Sequence, residues 1–515
     1  PRFPAPVALL ALALLVSACG RNNPDELITS AEGYLAQKDA PAAIIQLKNA
    51  LQANPDSARA RFLLGQALLA TGDAVGAETE FKKAQELGLP PDEVLPRLAQ
   101  ALLQQGQYRK LTTEYAGAQL TQAQAQAGLK TALAIAWKRQ GQEDKFKATL
   151  EEALKAQADY APALMELART QAVQGDPEGA LALLDKVPAT SPVADEALKL
   201  RGDVLLFGKN DPNAALALYQ EALKVNPRYV EGQAATVQLL LGQGKNDAAA
   251  TALQALEKSA PGHPKTLYLQ AKLAYAKNDL KATQKYTQEV LRLTPDNALA
   301  LELAGLTELR LNAYVQAEAF LGKALQLAPN LTMARRGLVL TYARQGRFDK
   351  AMATLAPGLE KNDRDPVMLT LAGQIYLLQG DTERAQSYFK KASGLDPQDP
   401  VKRTSLAVSR LMSGQTEAAL DELHDIATSD DGVVADMALV NALLQKRDVT
   451  RALEAIAALE KKRPADIRAP FLRGRALLLK DDAAGARKAM ERVLEIDPNY
   501  FPAVEILAQL DNAEK

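Results

Sequence analysis

Apolar and small residues recur along this chain at spacings of three and four. The clearest run is residues 366–399, PVMLTLAGQIYLLQGDTERAQSYFKKASGLDPQD. Leu369, Gly373 and Tyr376 fall on one face of a predicted helix, because positions three and four apart stack on a helix surface. Gly380-Asp381 predicts a turn. Ala385, Phe389 and Ala392 share one face of a second predicted helix, and Pro397, which has no N–H to donate, stops it. Residues 58–91 repeat the order through Leu64-Gly65, Leu68, Gly72, Ala77, Phe81 and Ala84. No stretch alternates apolar and polar residues long enough to predict a β-barrel.

The same order returns with a fixed period. Prolines stand at 55, 192, 227, 261, 295, 329, 397, 464 and 498, and every gap lies within one residue of a multiple of 34. Gly346, Gly380 and Gly414 keep that spacing, as do Ala317, Ala351, Ala385 and Ala419. A helix–turn–helix unit of 34 residues with these small, aromatic and proline positions resembles the tetratricopeptide repeat (TPR). The resemblance implies an all-α, right-handed superhelical solenoid of tandem repeats, with a concave groove lined by first helices. Fourteen units are expected over 24–500, starting near 24, 58, 92, 127, 161, 196, 230, 264, 298, 332, 366, 400, 433 and 467. Residues 501–515 read as a closing helix. Irregular stretches are expected at 117–126 and 186–198, and departures from the pattern at Gly358, at Asp363 and at Asp430-Asp431-Gly432.

Composition narrows the chemistry. Lys+Arg is 61 against Asp+Glu 62, a net charge of −1, which opposes nucleic-acid binding because that needs a basic face. One cysteine excludes an internal disulfide framework or a CxxC zinc site. The two histidines, His263 and His424, have no partner at metal-ligand spacing, and no Gly-rich loop leads into Lys-Ser/Thr. No catalytic residue, metal site or cofactor is expected, and the chain reads as a non-enzyme.

The first residues read as an address. Val7 to Ala18 is an apolar run of twelve, short of the ~20 that span a bilayer and suited to a signal core. Val16-Ser17-Ala18-Cys19 resembles the lipobox of bacterial lipoproteins. That resemblance implies cleavage after residue 18, lipidation of Cys19 and a tether over 19–23. The alternative is a cysteine in an ordinary signal core. Gly20 rather than Asp implies, by resemblance to enterobacterial sorting, the periplasmic face of the outer membrane of a Gram-negative bacterium.

Lys265, Tyr268, Lys272 and Tyr275 follow spacings of three, four and three on one predicted first helix. Arg336 and Arg344 take corresponding places two units later, with Arg310 between. Cations beside aromatic rings suit an acidic peptide or an anionic polysaccharide; an ordinary solvated face carries the same residues.

Segments such as DELITSAEGYLAQKDAPAAIIQLKNALQANPDSARARFLLGQALLATGD and YAPALMELARTQAVQGDPEGAL, with the lipobox, resemble TPR lipoproteins of the PEP-CTERM/exosortase system. The resemblance implies a protein-interaction scaffold associated with exopolysaccharide production and surface-protein sorting. The alternative is an accessory lipoprotein of an outer-membrane polysaccharide export channel. The implied partners are a protein or peptide in the groove, exopolysaccharide or export machinery, and the membrane through the lipid.

Overall fold

The computed structural model describes residues 23–37, 39–361 and 364–513. The signal segment 1–18, Cys19, most of the tether and Asp363 lie outside them. Among the described residues there are 29 α-helices and no strand. None is long and apolar enough to cross a membrane. The chain divides into two compact units between Pro261 and Gly262.

The first unit holds α1 (Pro24–Ala36), α2 (Ala40–Ala53), α3 (Ala58–Ala70), α4 (Ala74–Glu86), α5 (Pro91–Gln104), α6 (Tyr108–Tyr115) and α7 (Ala123–Arg139). It continues with α8 (Glu143–Ala156), α9 (Ala161–Val173), α10 (Pro177–Leu184), α11 (Ala194–Asp203), α12 (Pro212–Val225), α13 (Val230–Gly242) and α14 (Asn246–Ser259). The second unit holds α15 (Pro264–Ala276), α16 (Leu280–Leu293), α17 (Ala298–Arg310), α18 (Tyr314–Leu327), α19 (Thr332–Arg344), α20 (Phe348–Lys361), α21 (Pro366–Leu378) and α22 (Thr382–Leu395). It ends with α23 (Pro400–Met412), α24 (Thr416–Ser429), α25 (Val434–Gln445), α26 (Val449–Lys462), α27 (Arg468–Leu478), α28 (Ala483–Ile496) and α29 (Phe501–Ala513).

Each odd helix packs against the even helix that follows it, and short turns make the pair antiparallel. The turn chemistry is set by two residues. Gly380 adopts φ +80°, which a residue without Cβ reaches freely. Its N–H donates to the Leu377 carbonyl (3.0 Å) and that of Asp381 to the Tyr376 carbonyl (2.9 Å), closing the last turn of α21. The Asp381 carboxylate then accepts from the Arg384 N–H at 3.0 Å and caps α22. Asp39, Asp73, Asp176, Asp211, Asp279, Asp448 and Asp482 cap their second helices the same way.

Pair packing rests on a small residue in the first helix. A Cβ placed on Gly373 would stand 2.6 Å from the Phe389 ring, and one on Gly65 would stand 2.6 Å from Phe81. Each ring is fully buried, flanked by buried alanines such as Ala385 and Ala392. Odd helices also touch the next odd helix, as α17 touches α19 and α23 touches α25. Within each unit, even helices pack chiefly against the odd helices on either side of them. Within each unit the first helices therefore form one continuous face, and the second helices stand apart on the other.

The irregular stretches are shorter than expected. Residues 116–122 form the break after the eight-residue α6, but α7 is helical from Ala123. Asp92 fixes the break by accepting from the Gln122 N–H (2.7 Å) and the Thr121 hydroxyl (3.0 Å), and the alanine-rich sequence beyond it favours helix. Likewise 185–193 is irregular, but α11 begins at Ala194. At Gly358 α20 continues to Lys361.

Replacing Gly373 by Leu should destabilise its neighbourhood by about 1–3 kcal/mol, the usual cost of overpacking. Adding Phe389→Ala to that variant should restore part of the loss by making room. Hydrogen exchange followed by mass spectrometry would read both. Faster exchange in 366–399 with 40–86 unchanged is the expected result; equal loosening everywhere would contradict a solenoid whose repeats depend on their neighbours only.

Candidate functional site

The first-helix face of the second unit gathers the sequence-predicted residues into separate groups. On α15, the Lys272 ammonium lies 6.0 Å from the Tyr268 ring centroid. Glu302 of α17 interacts with both, and its carboxylate accepts from the Ala334 N–H at 2.9 Å. Burial raises the Tyr268 phenol to about 12. Burial lowers the Lys272 ammonium from its ordinary value while Glu302 pulls it back up. Burial likewise raises the Glu302 carboxyl, opposed by the Ala334 N–H and by Lys272.

The second group is Tyr275 with Arg310. The guanidinium lies 4.9 Å from the ring centroid and donates to the Asn278 side chain at 2.6 Å. Arg336 is occupied within the fold: it donates to Asp365 at 3.0 Å, and Asp365 also caps α21. Lys265 stands exposed in the first turn of α15, where the His263 ring caps the helix by accepting the Lys265 N–H at 3.2 Å.

Arg344 differs from the others. It borders a hollow of about 550 Å³ between α19 and α21, walled by Leu340, Leu371, Gln374 and Leu378. The first unit has a counterpart of about 430 Å³ among α3, α5 and α7, walled by Leu69, Leu103, Gln104, Ile135 and Arg139. Both arginines stand two residues before a left-handed turn glycine, Gly346 and Gly141. Neither side chain has a partner among the described residues. The repeated arrangement is an apolar trough on the first-helix face with one guanidinium at its edge.

Sequence reasoning missed Glu302 and Arg139. The signal for Glu302 was the period itself, since it stands 34 residues after Tyr268 and 34 before Arg336. It makes this face less basic than the selected cations suggested.

On the second-helix side, the departure at Asp430-Asp431-Gly432 has a specific cause. The Lys462 ammonium enters the junction and donates to the carbonyls of Ala427 (2.6 Å), Asp430 (3.0 Å) and Gly432 (3.2 Å). It also pairs at 2.8 Å with Asp436, which is only 3% exposed. The cation replaces the usual proline turn as the tie between α24 and α25. His424 is exposed on α24, and among the described residues no cluster of His, Cys, Asp and Glu could hold a metal ion.

Tetratricopeptide repeat family signatures match residues 139–203, 206–273 and 308–375 in one form. A second form matches 29–92, 268–331 and 437–501, and a third matches 367–399. No curated protein matches the chain. Among solved structures, one similar chain comes from the APC/C hetero-tetramer Cut9-Hcn1, at 16% identity and TM-score 0.48, covering 97% of this chain and 98% of that one. Another is human IFIT1, solved as a dimer with PPP-AAAA, at 17% identity and TM-score 0.45, covering 80% and 96%. A third is a tetratricopeptide repeat protein from Parabacteroides merdae, at 20% identity and TM-score 0.39, covering 48% and 97%.

Glu302→Gln keeps an acceptor for the Ala334 N–H and removes the charge facing Lys272. The variant should lose about 1–3 kcal/mol at pH 7, the cost of leaving a half-buried charge without its partner. Lys272 then falls further below its unfolded value of 10.5, so the unfolded state binds more protons between those values. Stability should recover as pH rises from 7 toward 10. Urea midpoints of both proteins at pH 7 and pH 9.5 would test this; a deficit that does not shrink at the higher pH contradicts the pairing.

Proposed function

Because the chain belongs to the tetratricopeptide repeat superfamily, we propose that it is a non-enzymatic protein-interaction scaffold of the periplasm, held to the outer membrane through lipidated Cys19. Its setting is exopolysaccharide production and exosortase-dependent protein sorting. Val16-Ser17-Ala18-Cys19 supports the anchor, and the resemblance of residues such as 25–73 supports the setting. The observation that carries the binding role is the pair of apolar troughs edged by Arg139 and Arg344. Each trough takes aliphatic or aromatic side chains of an extended segment, and each guanidinium donates charge-assisted hydrogen bonds to a carboxylate. Arg336 and Lys272 contribute less, because Asp365 and Glu302 already face them.

Crosslinking in cells followed by mass spectrometry tests the reading. Arg139→Glu with Arg344→Glu should reduce recovery of the crosslinked partner about tenfold. Lys390→Glu with Lys391→Glu, on the second helix α22, should leave it unchanged. Cys19→Ser should release the protein from membranes and abolish palmitate labelling. Equal recovery from both reversals would refute the trough as the binding site, and unchanged labelling would refute the anchor. Recovery of an outer-membrane porin as the main partner would move the function to a polysaccharide export channel.

A further inference from the structure

A cavity of about 290 Å³ lies on the opposite side of the second unit, between the second helices α24 and α26 and above α25. Its position follows from the stacking. Second helices stand apart, and one repeat's side chains face those of the next across the gap. Asp421 and His424 on α24 line one wall of the cavity, and Ala455 and Ala458 on α26 line the other. The polar groups therefore look across at methyl groups, and the space between them stays open. Leu420, Ala427, Leu439 and Leu443 make the floor apolar.

The charges around it are unequal in their commitments. At one end Asp436 is neutralised by Lys462, whose remaining protons go to backbone carbonyls. At the other end Arg451 is held by Asp448 at 2.6 Å and by Glu417 at 3.4 Å. Both cations near the cavity are thus engaged with carboxylates of the fold. Asp421 on α24 and Glu454 on α26 line the same cavity and have no hydrogen-bond or ion-pair partner among the described residues. The result is an apolar pocket whose only uncompensated charges are two carboxylates on opposite walls.

We propose that this cavity binds a cationic group, an ammonium or guanidinium, carried on an aliphatic stem. The stem covers the leucine and alanine floor, and the charged head sits between Asp421 and Glu454. The head gains a charge-assisted hydrogen bond while the stem leaves water. The volume takes one such group: a small alkylamine, or a single Lys or Arg side chain of a partner. This site is independent of the first-helix troughs, which select the opposite charge.

The test uses the full chain and matched probes in isothermal titration calorimetry. Hexylammonium, hexanol and hexanoate share a stem and differ in charge. The peptides Ac-Ala-Leu-Lys-Leu-Ala-amide and Ac-Ala-Leu-Gln-Leu-Ala-amide make the same comparison for a side chain. The expected result is that a cationic probe binds at least fivefold more tightly than its neutral counterpart. Asp421→Asn with Glu454→Gln should remove that preference, and hydrogen exchange should slow in 416–429 and 449–462 on binding. Both substituted residues are exposed and near-isosteric, so circular dichroism should be unchanged. Binding of hexylammonium identifies a free amine as sufficient; binding of the lysine peptide alone identifies a partner's side chain. No charge preference, or an undiminished one in the double variant, overturns the proposal.

Discussion

The fold depends on one close approach, repeated. In each well-formed pair a glycine or alanine of the first helix faces a large side chain of the second, as Gly373 faces Phe389 and Gly65 faces Phe81. The ring occupies the volume that a side chain on the first helix would have filled. A single methyl at Gly373 already meets the ring at 2.6 Å, so the contact fixes both the distance between the helices and their register. The Gly380-Asp381 turn holds the two ends of that pair in place. Neither helix has enough apolar surface to be stable alone, and the pair acquires it from the next pair.

Two surfaces with different chemistry follow from this stacking. Within each unit the first helices touch one another and present a continuous face; a trough edged by Arg139 is set into that of the first unit and one edged by Arg344 into that of the second. Second helices are spaced by the first helices between them and leave gaps that side chains fill or fail to fill. Between α24 and α26, alanines opposite Asp421 and His424 leave such a gap open. One architecture therefore offers anions a guanidinium on one side and cations a pair of carboxylates on the other.

Much of this was legible in the sequence. The period of 34, the turn glycines and the small-residue columns are local and repetitive, so the all-helical solenoid could be read from them before any coordinates. The site was legible only in part. Lys272 and Arg336 looked free because their partners, Glu302 and Asp365, lie in the next repeat, about thirty residues away in sequence. Glu302 was visible by adding 34 to Tyr268, but its effect depends on burial that sequence does not display. The Lys462 cage was not visible at all: an ammonium satisfying three carbonyls thirty or more residues back leaves no side-chain pattern.

The central claim is that the 34-residue pair, and not the single helix, is the unit of structure. Deleting residues 366–399 removes one whole pair in phase and brings α20 against α23. Deleting 382–399 removes one second helix and leaves a first helix without its partner. Circular dichroism with hydrogen exchange on both variants measures the difference directly. The in-phase deletion should keep helicity per residue and the protection of 298–344 and 434–496, while the out-of-phase deletion should lose protection on both sides of the cut. Equal damage from the two deletions would contradict the account.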